Sequence, residues 1–400
     1  MIEEKRWLLP EGVEELLPPQ AELLERVRAQ ILEIFHRWGY DLVATPLVEY
    51  IESLLIGRGD DLDLQTYKLI DQLNGRLMGV RADITPQVAR IDAHHLRRQG
   101  PTRLCYAGHV LHTRASGLDA SREPLQVGAE LYGHAGVEGD IEVIHLMAET
   151  LISLGVDNIH IDLGHVGIFR GLARKAGLDA EQEAALFGAM QRKAKPDMQD
   201  LVTELALTPD WRDVFMALVD LNGDATVLTE ARRLLKRHSD LVAPAIDALA
   251  HIADHVQRRM PELPLHFDLA ELRGYHYKSG ILFAAFVPGH GQELARGGRY
   301  DHFGRVYGRA RPATGFSVDL KTVIEFSRGP TTRPAGILAP FSDDPNLDQA
   351  VRALRDAGER VVWDLPGHPE SAAESGCDRV LLRQGGKWQV MALSQATKSN

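Results

Sequence analysis

Residues 167–260 carry no strand signal, yet strand-like segments lie on both sides of them. The stretch is rich in alanine, leucine and charged residues at helical spacing, and Pro261 and Pro264 end it. It therefore reads as an all-helical unit inserted into a strand-bearing core. The flanking segments limit what that core can be. Residues 67–73, Asn74-Gly75 and residues 76–81 read as a hairpin, because Asn-Gly supplies the positive backbone angles of a tight two-residue turn. Residues 104–111 and 124–132 read as two further strands joined by the polar loop 114–122. Strands joined by hairpins rather than crossover helices predict a mostly antiparallel α+β sheet and argue against a doubly wound one.

The other elements fit around this sheet. Leu23, Leu24, Val27, Ile31, Ile34, Phe35 and Trp38 recur at helical spacing after Pro18-Pro19, and Gly39 ends that helix. Residues 41–50 read as extended and are broken by Pro46. Thr85 is the expected cap of a helix reaching about Arg98, with Pro86 at its first position. A helix over 140–154 and a strand over 158–163 precede the insertion; strands over 265–269 and 277–287 follow it. Past Gly329-Pro330 a small βαβ-like tail is expected. The domain reading is a core over 1–326, with its helical insertion at about 167–260, and a small C-terminal α/β unit over 331–400.

Composition narrows the class. A chain of 400 residues can bury a large core without staples. Its two cysteines, Cys105 and Cys377, make neither a disulfide framework nor a zinc motif, so a cytoplasmic setting is expected. The first twenty residues are acidic and broken by prolines, unlike a signal peptide, and no apolar run is long enough for a membrane span. Against 45 Lys and Arg stand 56 Asp and Glu, a net charge of -11, which disfavours a dedicated nucleic-acid binder. The seventeen histidines show no ligand-like pairing with acids or cysteines, so no metal is expected. No cofactor and no catalytic nucleophile arrangement is evident.

Four places could carry chemistry. In strand 124–132, alternation puts Gln126, Gly128 and Glu130 on one face, a notch in which an amide and a carboxylate flank a close-approach glycine. The plain alternative is a solvated sheet face. Asp83 and Thr85, at the hairpin's exit, could bind an amino group, although Thr-Pro at a helix start is usually just a cap. Arg273 with Tyr275 and Tyr277 could orient a carboxylate in an aromatic pocket; alone, that stretch reads as a polar turn. Gly297-Gly298 has neither Walker nor Rossmann spacing and reads as close backbone packing.

In order, these segments resemble the catalytic core of histidyl-tRNA synthetase, a class II synthetase, from about Trp7 to Phe326. Residues 35–46 resemble the dimer-interface motif. Arg81-Ala82-Asp83-Ile84-Thr85 resembles the segment that binds the amino group of histidine. Residues 122–132 (REPLQVGAELY) resemble the end of motif 2, with Gln126 and Glu130 at histidine-contacting positions. Arg273-Gly274-Tyr275-His276-Tyr277 resembles the second histidine motif, and residues 297–301 its GGRYD. The resemblance implies a class II antiparallel sheet flanked by helices.

Departures from the pattern point to a different function. Ala107 is read at the position of the arginine that grips the α-phosphate, His109 at that of the companion glutamate, and Thr322 at that of the second ATP-binding arginine. Losing one donor to developing charge costs about two to three orders of magnitude in rate. Lys278 replaces the last tyrosine of the second histidine motif, and about seventy residues remain after residue 330, short for an anticodon-binding domain. This combination resembles the regulatory subunits of short-form ATP phosphoribosyltransferase, the first enzyme of histidine biosynthesis. That resemblance implies a non-catalytic chain in a hetero-oligomer with a short catalytic subunit, which activates that partner and relays feedback by histidine. It also implies self-association as a synthetase-like dimer and no role for tRNA. Histidine would contact Asp83, Thr85, Gln126, Glu130, Arg273 and Tyr277. A divergent histidyl-tRNA synthetase is the alternative.

Overall fold

The computed structural model describes residues 7–55, 60–115, 121–270, 278–328, 335–367 and 374–396. The chain divides into two compact units, Met1–Gly329 and Pro330–Asn400. In chain order, the strands begin with β1 (Asp41–Leu42). β2 (Val48–Tyr50), β3 (Tyr67–Ile70) and β4 (Leu77–Val80) form a small antiparallel sheet in the order β2-β4-β3. Next come β5 (Thr102–His109), β6 (Leu125–Tyr132), β7 (His160–His165), β8 (Asn222–Gly223), β9 (Leu265–Asp268), β10 (Ile281–Phe286), β11 (Ala295–Arg299) and β12 (Ala313–Asp319). With β1 they make a nine-stranded sheet ordered β1-β5-β6-β12-β11-β10-β7-β9-β8. The run from β5 through β7 in that order is antiparallel throughout; only β1–β5 and β7–β9 are parallel. This is the antiparallel α+β core that the hairpin spacing predicts.

One face of the sheet is sealed by helices. Helix Gln20–Arg37 buries Leu23, Leu24, Val27, Ile31, Ile34 and Phe35, and Phe35 meets Phe316 of β12 edge-on at 5.8 Å. Helix Val137–Ser153 is buried along most of its length because it lies between this face and the insertion. The insertion forms helices Val166–Ala176, Ala180–Gln191, Lys195–Glu204, Pro209–Asp220, Thr226–Leu234 and Ser239–Arg259. It also contributes β8, which pairs with β9. Two residues are too few for a periodic signal, so the expectation of a strandless insertion misses this edge pairing.

On the opposite face a second apolar cluster joins Ile84, Val88, Leu104, Tyr106, Tyr132 and Tyr300. With Ala313 at the start of β12, it covers the β5–β6 side; the rest of β12, β11 and β10 lies outside this cluster.

Two local expectations change. The β3–β4 hairpin is present, but Ile70 and Leu77 are its last pair, and Asp71 N–H donates to the Arg76 carbonyl at 2.8 Å around a wider loop. Asp71 also takes the Leu73 N–H at 2.9 Å, and only Gly75 (φ +74°) is left-handed, so no two-residue turn forms. The helix after it runs Thr85–Arg90 and passes into a wider π-type turn over Ile91–Leu96. Thr85 is not its cap; the Asp83 carboxylate accepts the Thr85 N–H at 3.0 Å.

The C-terminal unit has its own core of Ile337, Ala339, Leu347, Val351, Val361 and Leu381. β13 (Gly336–Pro340) and β14 (Val361–Asp364) are parallel across helix Pro345–Asp356. β15 (Cys377–Gln384) and β16 (Lys387–Ala392) add an antiparallel hairpin on the other side of β13, one the sequence reading lacks.

Candidate amino-acid pocket

The alternation of β6 holds in three dimensions. Leu125, Val127, Ala129 and Leu131 join the main core, and Gln126, Gly128 and Glu130 occupy the other face. Gln126 uses both ends of its amide on the 83–85 turn. Its Oε1 accepts the Ile84 N–H at 2.8 Å, and its Nε2 donates to Asp83 Oδ1 at 2.9 Å. The acceptor role toward a backbone N–H fixes which amide atom is which. Asp83 is thus aimed by Gln126 from one side and by the Thr85 N–H from the other. Gln126 therefore positions Asp83.

Glu130 lies deeper, 2% exposed. Tyr106 donates its hydroxyl to Glu130 Oε1 at 3.1 Å, and Tyr300 donates to Oε2. With the Tyr106 proton committed to the carboxylate, the Thr85 hydroxyl, 3.2 Å away, donates to the Tyr106 oxygen. One chain of hydrogen bonds therefore runs from Thr85 through Tyr106 and Glu130 to Tyr300. Burial pushes the Glu130 carboxyl above its ordinary range, while the Tyr300 hydroxyl, the Lys278 ammonium and the Tyr106 hydroxyl pull it back.

Glycines make room for this arrangement. Gly128 pairs with Tyr106, and a Cβ there would stand 2.5 Å from the tyrosine Cζ and 2.6 Å from the Phe316 carbonyl oxygen. Gly315 of β12 pairs with Glu130, and a Cβ there would stand 2.6 Å from the carboxyl carbon. The carboxylate lies flat across β12 because its neighbour has no side chain.

Lys278 joins from the far side. It is 9% exposed, its Nζ donates to the Gly298 carbonyl at 3.3 Å, and it lies 5.3 Å from the Tyr300 ring centroid. Burial lowers its pKa and Glu130 opposes that. Its neighbour Ser279 is clipped to β11, donating its N–H to the Arg299 carbonyl at 2.8 Å and accepting the Asp301 N–H at 2.9 Å. Arg299 anchors the other end, to Asp140 at 2.9 Å and to the carbonyls of His134 and Gly136. The GGRYD stretch therefore serves to hold Tyr300 against Glu130.

Asp83, Thr85, Gln126 and Glu130 come together in this way. Arg273 and Tyr277 lie outside the described residues. Tyr106, Tyr300 and Lys278 are pocket residues the sequence reading did not single out as ligand contacts. The available signal was a strand glycine facing a tyrosine across the β5–β6 ladder, which needs the register to be seen.

Two of the positions read as lost phosphate contacts need correction. β5 also alternates, so Ala107 packs on the main core while Tyr106 faces Glu130, and His109 follows Ala107 onto the reverse face, 3.5 Å from Glu123. A side chain at either position points away from the pocket. Thr322 sits at the β12 end and bonds locally, its hydroxyl donating to Asp319 at 3.3 Å. Among the described residues no cluster of His, Cys, Asp or Glu could hold a metal ion, and no helix is long and apolar enough to cross a membrane.

Comparison with known proteins bears on the fold and the family. Residues 12–323 match the histidyl-tRNA synthetase family, and residues 334–391 match the ATP phosphoribosyltransferase subunit HisZ C-terminal domain. The chain is 59% identical to an ATP phosphoribosyltransferase regulatory subunit of Thioalkalivibrio sulfidiphilus, over 98% of this chain and 100% of that one. It is 57% identical to the protein of the same description from Alkalilimnicola ehrlichii, over 98% of each. Among solved structures, an ATP phosphoribosyltransferase regulatory subunit/histidyl-tRNA synthetase from Bacillus halodurans superposes with a TM-score of 0.82 at 27% identity, covering 92% of this chain and 96% of that one. A histidyl-tRNA synthetase from Nostoc shares the fold, with a TM-score of 0.78 at 18% identity over 98% of each chain. The chain belongs to the family of ATP phosphoribosyltransferase regulatory subunits, built on a histidyl-tRNA synthetase scaffold.

Proposed function

We propose that this chain is the regulatory member of a hetero-oligomeric ATP phosphoribosyltransferase, and that it senses histidine in the pocket between the 83–85 turn and Glu130. The observation carrying the proposal is the hydrogen-bonded chain that joins Thr85, Tyr106, Glu130 and Tyr300, beside the Asp83–Gln126 pair. Asp83 and Thr85 would take the ligand's ammonium, and Glu130 with Tyr277 would face its ring. Arg273 would take the carboxylate, the usual partner of a guanidinium. The chain would dimerise as synthetases do and assemble with a short catalytic subunit that it activates. Histidine would act by binding active and inhibited assemblies with different affinity; an effect of this kind typically reaches about 1–3 kcal/mol.

The test is a co-assay. Adding this chain to a short catalytic subunit should raise its activity, and histidine should lower it again. Glu130→Gln should raise the histidine concentration for half-inhibition at least about tenfold, which corresponds to one lost charge-assisted bond. Unchanged inhibition by that variant would remove histidine from this pocket. Histidine-dependent exchange of pyrophosphate into ATP by the isolated chain would favour a synthetase instead.

A further inference from the structure

We infer that the helical insertion is a working part of the proposed histidine site: its first helix holds the strap Lys278–Gly280, and Ser279 in that strap holds Tyr300 on Glu130. The inference rests on the reading of this site as a histidine pocket and deepens it, making Ser279 a positioning residue and the insertion the element to which binding is reported.

The strap precedes β10, and its bonding alternates as along a strand. Toward the insertion, the Gly280 carbonyl accepts the Val166 N–H at 3.1 Å, and the Lys278 carbonyl accepts a bond from Arg170 Nη2 at 3.2 Å. Both donors lie in helix Val166–Ala176. Toward β11, Ser279 grips both chain neighbours of Tyr300. Its N–H donates to the Arg299 carbonyl at 2.8 Å, and its Oγ accepts the Asp301 N–H at 2.9 Å. Tyr300 itself donates its N–H to the Ala313 carbonyl at 2.8 Å and its hydroxyl to Glu130. Tyr300 is thus set between β12 and the strap, and the strap between Tyr300 and the insertion.

The first N–H groups of a helix have no partner within it. In helix Val166–Ala176 the His165 side chain takes the Gly167 N–H, while the Val166 N–H goes to the strap. Val166 is fully buried, so a strap displaced from it leaves a buried donor without its partner. The insertion therefore completes its own helix end with a residue that stands beside the pocket. A ligand that fixes Glu130 and Tyr300 fixes the strap through Ser279 and the helix end through Gly280. Held in this way before the ligand arrives, Tyr300 also costs less to order on binding.

Hydrogen exchange of the full-length chain, resolved to single amides with and without free histidine, tests this. Histidine should slow exchange at Val166, Ser279 and Asp301 together, each at least about fivefold. Ser279→Ala keeps the N–H bond to Arg299 and removes the bond from Asp301. It should raise the histidine Kd about fivefold, the worth of one neutral hydrogen bond, and reduce the slowing at Val166. Histidine binding that leaves Val166 exchange unchanged in the wild-type chain overturns the inference while the pocket stands. So does a Ser279→Ala chain that loses stability to urea but keeps wild-type affinity and wild-type slowing at Val166. No histidine binding by the wild-type chain, or binding that Glu130→Gln leaves as tight, overturns the pocket and the inference together. The exchange comparison uses the unaltered chain, so the question is decided even if Ser279→Ala does not fold.

Discussion

Gly128→Ala is the most direct perturbation of the pocket, because it changes no charged or hydrogen-bonding group. A Cβ at residue 128 would stand 2.5 Å from Tyr106 Cζ and 2.6 Å from the Phe316 carbonyl oxygen. Restoring ordinary contact of about 3.5 Å requires the tyrosine ring to retreat by about 1 Å. The backbone oxygen belongs to the β6–β12 ladder and yields little, so the ring must move. The Tyr106 hydroxyl bonds at 3.1 Å to Glu130 and 3.2 Å to Thr85, and a 1 Å retreat breaks both. Losing a hydrogen bond to a carboxylate costs about 1.5–3 kcal/mol, a neutral one about 1, and overpacking about 1–3 more. Urea unfolding should therefore show a loss of about 3.5–7 kcal/mol, and histidine affinity should fall at least about tenfold because Glu130 and Thr85 lose their common link. A variant with wild-type affinity and stability within about 0.5 kcal/mol would refute the claim that this glycine exists to seat Tyr106.

Two further outcomes follow from buried charges away from the pocket. Asp92→Ala should cost about 3–5 kcal/mol in urea unfolding, because it strands the Arg311 guanidinium, which is 7% exposed and 2.7 Å from the aspartate; Arg311→Met in the same chain should recover part of that loss, and no recovery would mean the pair is not the cause. His165 caps helix Val166–Ala176 by accepting the Gly167 N–H at 3.0 Å, and burial, helped by the Arg299 charge, pushes its pKa down to about 4. The unfolded chain, with an ordinary value of about 6.5, takes up the proton first, so this residue's contribution is whole above that pH and is lost as pH falls from 6.5 to 4, by at most about 3 kcal/mol. His165→Asn keeps an acceptor at the cap and should move the acid-unfolding midpoint to lower pH; an unmoved midpoint would refute the assignment.

Elements with a strong period were legible in the sequence. The helix over Gln20–Arg37 and the alternation of β6 follow from which residues are apolar, since a stripe at 3.6 or a beat of 2 leaves one way to bury it. What escaped depends on register. That Tyr106 rather than Ala107 faces Glu130 is settled by the pairing of Tyr106 with Gly128, and a slip of one residue in the alignment of a strand exchanges its two faces. The same dependence hid Gly315, which matters only because the ladder sets it beside Glu130. Thr85 was named as a candidate contact, but its place in the network escaped differently: a Thr-Pro pair reads as a cap, whereas Asp83 supplies the acceptor for its N–H and the hydroxyl reaches Tyr106. Likewise β8 and the β15–β16 hairpin arise from tertiary pairing that two-residue or weakly patterned strands do not announce.

The two ends of this sheet face are built in opposite ways, which bears on why a synthetase scaffold would serve regulation. At the amino-acid end, residues from the 83–85 turn, β5, β6 and the stretch after β11 converge on one buried carboxylate, each held by a partner on another element. At the end of β12, where the synthetase pattern places its second ATP-binding arginine, the polar groups close on one another. Asp319 takes the N–H groups of Leu125 and Lys321, each at 3.1 Å, as well as the Thr322 hydroxyl, and burial raises its pKa. An acidic group that spends its acceptors on the surrounding backbone offers a polyphosphate repulsion rather than donors. The argument for lost adenylate chemistry therefore rests on this closed Asp319–Thr322 corner and on family membership, and Ala107 and His109 add nothing to it. On the proposed reading, a site that keeps rigid recognition at one end and, among the described residues, closes an acidic corner on itself at the other would bind an amino acid and release it unchanged, which is what a sensor requires.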